Sequence, residues 1–191
     1  MSKVLAVSAA LIIGVPCLAA LQPGDRAPDF KAQASLAGKA YGYALKDALR
    51  NGPVVVYFYP SAYTNGCNIQ AHTFATQVDA FSAAGATVVG VSLDPIARLN
   101  EFSADPAYCA GKLSVASDAD GQIAKAYEIT VREAQPGRKD PRGVDIDHGY
   151  AERTTFVVAP DGRVAATLGG LTPTENVARA LAAVQRLAGA R

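Results

Sequence analysis

Val54-Val55-Val56-Tyr57-Phe58-Tyr59-Pro60-Ser61-Ala62-Tyr63-Thr64-Asn65-Gly66-Cys67-Asn68-Ile69-Gln70 joins an apolar run to a cysteine across a short loop. Gly52-Pro53 leads into the run, which is β-branched and aromatic, shows no polar alternation, and stops at Pro60. Such a run reads as a central strand buried on both faces. After Gly66, the apolar residues Phe74, Val78 and Phe81 fall at i, i+4 and i+7, and Gly85 supplies a stop. That period predicts an amphipathic helix beginning near Gly66. Asn65-Gly66 is also hairpin-turn chemistry, but the residues that follow keep a helical period rather than an alternating one. Cys67 is therefore expected in the first turn of a helix that follows a buried strand.

Outward from this unit the pattern repeats. Ala86 to Leu93 reads as a second buried strand, and Asp94-Pro95 as an N-cap with a first-turn proline. Thr155 to Val158 and Val164 to Leu168 flank the turn residues Pro160-Asp161-Gly162, which predicts a hairpin. Thr172-Pro173-Thr174-Glu175 has capping-box spacing and opens a helix with Val177, Leu181, Val184 and Leu187 on its apolar stripe. Residues Val131 to Gly149, rich in Arg, Lys, Asp, Gly and Pro, read as a long surface loop. Strands alternating with helices, followed by a hairpin, predict an α/β fold with a mixed central sheet covered by helices on both faces.

The 191 residues suit one domain, and 18 Lys plus Arg against 17 Asp plus Glu leave no electrostatic footprint for nucleic acid. Residues Val4 to Gly24 carry no charge and follow Lys3; their apolar middle is broken by Gly14 and Pro16 and ends in Cys17-Leu18-Ala19-Ala20. This order predicts a secretory signal over residues 1–20, a mature domain over 21–191, and an exported, periplasmic protein with no stable membrane association after cleavage. An uncleaved anchor is the rival reading, countered by the interrupting Gly14 and Pro16.

With Cys17 removed, Cys67 and Cys109 remain. A free thiol titrates near about 8.5 and is only a few per cent thiolate at pH 7. The N–H groups and dipole of a helix N-terminus favour the anion, and a nearby arginine favours it further.

Pro60-x3-Thr64-x2-Cys67, at the end of an apolar strand, resembles the active-site signature of peroxiredoxins. The likeness extends through Pro23-Gly24-Asp25-Arg26-Ala27-Pro28-Asp29-Phe30, Ser117 to Gly121 with Ile123 to Tyr127, and Arg153-Thr154-Thr155-Phe156-Val157-Val158 with Asp161-Gly162. Within the family the chain is most similar to the bacterioferritin-comigratory-protein, or peroxiredoxin Q, branch. The resemblance implies a thioredoxin-like three-layer fold and a thiol peroxidase acting on hydrogen peroxide and organic hydroperoxides. It requires no cofactor and no metal, and is recycled by a thioredoxin-like or glutaredoxin-like reductant. It also implies the roles. Cys67 attacks peroxide to give a sulfenic acid, Thr64 places a hydroxyl against thiolate and peroxide, Arg153 stabilises negative charge, and Pro60 shields the sulfur from water. The branch is often monomeric, with homodimers elsewhere in the family.

The chain departs from the family in places. His72 stands where many relatives carry a second cysteine, and Gln70 where an acidic residue is frequent. Cys109 is then the candidate resolving thiol, in a stretch that reads as the end of the helix after the second strand. A static Cys67–Cys109 bridge and a one-cysteine mechanism are the alternatives.

Each residue also has a plainer role: Cys67 a core hydrophobe, Thr64 a helix cap, Pro60 a strand stop, Arg153 a surface charge. His72 is expected exposed or half-buried, and His148 near the surface. Two other functions compete. A thiol–disulfide oxidoreductase would want Cys-x-x-Cys, but Cys67-Asn68-Ile69-Gln70 lacks the second thiol. An extracytoplasmic metal-binding module would want paired cysteines and a histidine.

Overall fold

The computed structural model describes residues 20–189. The signal-peptide expectation over residues 1–20 lies outside them but for Ala20. Among the described residues no helix is long and apolar enough to cross a membrane.

Seven strands form one mixed sheet: β1 (Lys31–Leu36), β2 (Lys39–Ala44), β3 (Val54–Phe58), β4 (Thr87–Ser92), β5 (Ser114–Ser117), β8 (Thr154–Val158) and β9 (Val164–Gly169). Two further strands, β6 (Val131–Arg132) and β7 (Tyr150–Ala151), pair with each other. The order in the large sheet is β2-β1-β5-β4-β3-β8-β9. β3 runs parallel to β4 and antiparallel to β8, and all five of its residues are buried.

The unbroken apolar run of β3 is divided between two cores by the period-2 geometry of a strand. Val55, Tyr57 and Tyr59 face a cluster with Phe74 and Phe81 of α2 (Asn65–Ala83), Leu99 and Phe102 of α3 (Ile96–Ala104), and Val177 and Val184 of α5 (Pro173–Gly189). Val54, Val56 and Phe58 face a second cluster. It holds Leu21, Phe30, Leu45 of α1 (Leu45–Ala48), and Ala124 of α4 (Gln122–Ala126). Helices therefore cover both faces of a mixed sheet that ends in a hairpin and a helix, as expected. Gly90 on β4 sits opposite Tyr57, where a Cβ would come within 2.5 Å of the tyrosine ring. Only glycine lets that ring lie across the strand.

Three local expectations are corrected. Pro95, not Asp94, is the N-cap of α3. Cys109 lies beyond α3, in the turns that follow it, rather than at the helix end. The stretch from Val131 to Gly149 is mostly loop, but it opens with β6, which pairs with β7 just beyond it, and it buries Asp140 and Ile146. At α5 only half of the capping box forms: the Glu175 N–H donates to Thr172 Oγ1 at 3.3 Å, while the Glu175 carboxylate turns to Arg179.

Candidate active site

The site lies where β3 ends and β8 begins. Their antiparallel register pairs Phe58 with Thr154, so Arg153 stands beside the chain as it leaves β3 for the loop and α2. Arg153 and Cys67, 86 residues apart, meet there: Arg153 Nη2 is 3.3 Å from Cys67 Sγ. Cys67 is the third residue of α2, buried and a free thiol. The first backbone bond into the helix runs from the Asn68 N–H to the Thr64 carbonyl, 2.8 Å, and no side chain caps the start. The N–H groups of Gly66 and Cys67 are thus among the unpaired donors of a helix N-terminus, which favour negative charge.

Arg153 is held from behind. Its Nη1 donates to Gln70 Oε1, one turn along α2 from Cys67. Gln70 is fully buried and donates in turn to Asn176 Oδ1 at 3.1 Å, which also accepts the Thr155 hydroxyl at 2.6 Å. A buried chain of this kind fixes the guanidinium in one orientation. Gln70 also leaves the arginine's charge uncompensated, because it brings an oxygen without a carboxylate. Gly66 gives the guanidinium room: a Cβ there would lie 3.1 Å from Arg153 Nη2.

Thr64 occupies the N-cap position, but its hydroxyl donates to the Ser61 carbonyl at 2.8 Å rather than to the sulfur. A hydroxyl that donates its proton still accepts through its lone pairs. Pro60 is half-buried and lines a cleft with Arg153. The fifth expected residue, Cys109, is fully buried in the same core cluster as Cys67. Both cysteines are free, so no static bridge joins them. Burial pushes the Cys109 thiol well above the ordinary range, with Asp105 adding to the effect.

The largest group absent from the sequence reading centres on Asp94. Its buried carboxylate accepts the Ala62 N–H at 2.7 Å and the hydroxyls of Ser61 and Ser92 at 2.8 and 2.7 Å. It also pairs with Arg98 at 3.0 Å and with His148 Nε2 at 2.9 Å. Burial opposes ionisation of Asp94, and the hydrogen bonds from His148, Ala62 and Ser92 overcome it, so its pKa is lowered. His148 is the counterpart: burial opposes its charge, the Asp94 bond outweighs that, and its pKa is raised. His148 is half-buried, near the surface as expected, with its ring turned inward to Asp94. His72 is exposed as expected, with Nδ1 3.1 Å from the Ala107 carbonyl oxygen.

Between these anchors sits Tyr63, whose φ of +65° places a bulky side chain in the left-handed region. That conformation costs roughly 1–2 kcal/mol. It is held by Phe102 and Tyr108, with ring centroids at 5.0 and 5.6 Å, and by Arg142, 3.2 Å from the ring centre. The loop carrying Thr64 is therefore fixed on one side by Asp94 and on the other by aromatic packing.

Residues 23–167 match the AhpC/TSA family. The chain belongs to that family and is a peroxiredoxin, an enzyme acting on peroxide. A Mycobacterium tuberculosis protein provisionally named a peroxiredoxin is 33% identical over 159 residues, covering 83% of this chain and 92% of its own. The crystal structure of peroxidoxin BcpB from the same organism superposes with a TM-score of 0.72 at 26% identity, covering 87% and 98% of the two chains. The bacterioferritin comigratory protein of Xanthomonas campestris, studied for alkyl peroxide reduction, superposes with a TM-score of 0.64 at 27% identity, covering 82% and 91%.

Proposed function

We propose that Cys67 is the peroxide-reducing thiol and that Arg153, Thr64 and the N-terminus of α2 form the site around it. The observation that carries this reading is the 3.3 Å approach of Arg153 Nη2 to Cys67 Sγ at a helix start with unpaired N–H groups. The thiolate attacks the terminal oxygen of the peroxide. An S–O bond forms, the O–O bond breaks, and the sulfur becomes a sulfenic acid that keeps the attacked OH. The departing oxygen takes up a proton from solvent and leaves as water or alcohol. Arg153 and the Gly66 and Cys67 N–H groups lower the energy of the charge that moves from sulfur to that oxygen. Thr64 Oγ1 accepts the peroxide hydroxyl, and Pro60 keeps bulk water from the sulfur.

Cys109 is the resolving thiol in this proposal. Its thiolate attacks the sulfenic sulfur, a Cys67–Cys109 disulfide forms, and hydroxide leaves and is protonated. A thioredoxin-like or glutaredoxin-like dithiol then reduces the disulfide. Cys109 is buried, so in this proposal an external reductant reaches it only after the turn over residues 105–111 opens. Hydrogen peroxide and organic hydroperoxides are the proposed substrates, the latter supported by the alkyl peroxide activity studied in the Xanthomonas relative. Export to the periplasm is proposed on residues 1–20 alone, and a periplasmic reductant follows from it.

Rapid mixing of the reduced protein with hydrogen peroxide tests the reading. Oxidation faster than that of a free thiol, lost in Cys67→Ser, is the expected result. An unaccelerated thiol would overturn it.

A further inference from the structure

A cleft of about 250 Å³ is lined by Pro60, Arg132, Arg138, Tyr150, Glu152 and Arg153 among others, and it meets the thiol site at Arg153. We infer that it is a subsite for the anionic end of the substrate, and that the enzyme prefers organic hydroperoxides bearing a carboxylate. The inference rests on the peroxidase reading above and names the substrate class of that same site.

Three independent placements converge here. The β6–β7 register sets Arg132 directly opposite Tyr150, and facing residues of an antiparallel pair share one side of the ribbon. The Arg138 guanidinium lies over the Tyr150 ring, 4.3 Å from its centre. Arg153 lines the cleft from β8's leading edge while its two terminal nitrogens hold Gln70 and Cys67, so it links the cleft to the thiol.

The charges are unbalanced. Arg98 and Arg142 nearby are committed to Asp94, Asp140 and Glu101. Among the described residues, none of Arg132, Arg138 and Arg153 is ion-paired with a carboxylate. Glu152 is the one acidic side chain on the cleft wall, against three cations. Guanidinium groups gathered without a counter-ion favour an arriving anion, and their planar forks suit a carboxylate. Tyr150 is 5% exposed, and its buried hydroxyl has no hydrogen-bond partner among the described residues. The hydroxyl therefore points away from solvent, and Tyr150 serves the cleft through the ring that carries Arg138.

Size narrows the class further. Sites for drug-sized ligands run to about 300–1,000 Å³, so this cleft suits a short-chain hydroperoxy acid rather than a long lipid.

The test compares a short-chain hydroperoxy acid with its methyl ester on the full-length reduced enzyme, with hydrogen peroxide run in parallel. The expected kcat/KM ratio of acid to ester is roughly tenfold, the scale of one charge-assisted hydrogen bond, and it shrinks with added salt. Arg132→Gln with Arg138→Gln should bring the ratio toward one. Arg132→Lys with Arg138→Lys should retain most of it, and Glu152→Gln should raise it. Because each variant supplies its own ratio, partial loss of folded protein does not blur the reading. Equal rates for acid and ester in the unaltered enzyme would overturn the inference while hydrogen peroxide is still reduced rapidly. Slow reaction with all three peroxides would instead overturn the peroxidase reading.

Discussion

Arg153 touches the Cys67 sulfur with one guanidinium nitrogen and the Gln70 side-chain oxygen with the other. One rigid fork therefore reads two residues on successive turns of the same helix. The contact exists because β8 runs antiparallel to β3, which brings the residue before Thr154 back to where β3 releases the chain.

Arg153→Ala removes a charged donor from the reacting atoms, and the rate of oxidation by hydrogen peroxide should fall by roughly 10²–10³. Arg153→Lys keeps the charge but lacks the fork, so it should recover only part of the loss. Stopped-flow kinetics on both variants checks this.

Gly66→Ala separates stability from rate. The new Cβ pushes Arg153 Nη2 from 3.1 Å contact, a shift of a few tenths of an ångström. Helix propensity favours alanine by up to about 1 kcal/mol, so the melting temperature should hold or rise. Oxidation should nevertheless slow by roughly 3–10-fold, because the guanidinium no longer sits in place.

The Asp94–His148 pair sets a pH window for stability. His148 has a raised pKa, so its contribution is complete below about 6.5, the unfolded value, and is lost as pH rises through the folded value. Asp94 has a lowered pKa, so its contribution is present above about 3.9 and is lost as pH falls through the folded value. His148→Gln should therefore cost roughly 2 kcal/mol near pH 6 and less at higher pH. Asp94→Asn removes the charge that pairs with His148 and leaves Arg98 only Asp140, and should cost more, roughly 3–5 kcal/mol. Urea unfolding across pH measures both.

Cys109 should resist alkylation in the reduced folded protein, because burial holds its thiol protonated. His72 ties α2 to the Ala107 carbonyl at 3.1 Å, across the turn that must open. His72→Ala should expose Cys109 roughly 3–10-fold more often, the equivalent of one hydrogen bond. Alkylation rates followed by mass spectrometry read that opening.

Where sequence reading succeeded and where it did not follows from the range of the interactions. The β3–loop–α2 unit, the β8–β9 hairpin and α5 announce themselves through local periodicity and turn chemistry. β1 and β2 were missed because Lys31–Leu36 and Lys39–Ala44 are rich in Ala and Lys, with much of β2 exposed. β5 is only four residues long. Asp94-Pro95 reads as a cap because Asp-Pro is local cap chemistry. Its actual partners Ala62 and His148 come from 32 and 54 residues away, which no local pattern signals. Arg153 is legible only through likeness to a family, since nothing in Arg153-Thr154-Thr155 says that the strand begins beside a thiol.

The measurement closest to the central claim is stopped-flow oxidation of the reduced protein by hydrogen peroxide, with Cys67→Ser and Cys109→Ser beside it and products identified by mass spectrometry. The expected result is rapid oxidation lost only in Cys67→Ser, a Cys67–Cys109 disulfide in the unaltered protein, and a sulfenic acid on Cys67 in Cys109→Ser. A persistent sulfenic acid in the unaltered protein would contradict the role of Cys109. Oxidation of Cys67 no faster than a free thiol would contradict the account as a whole.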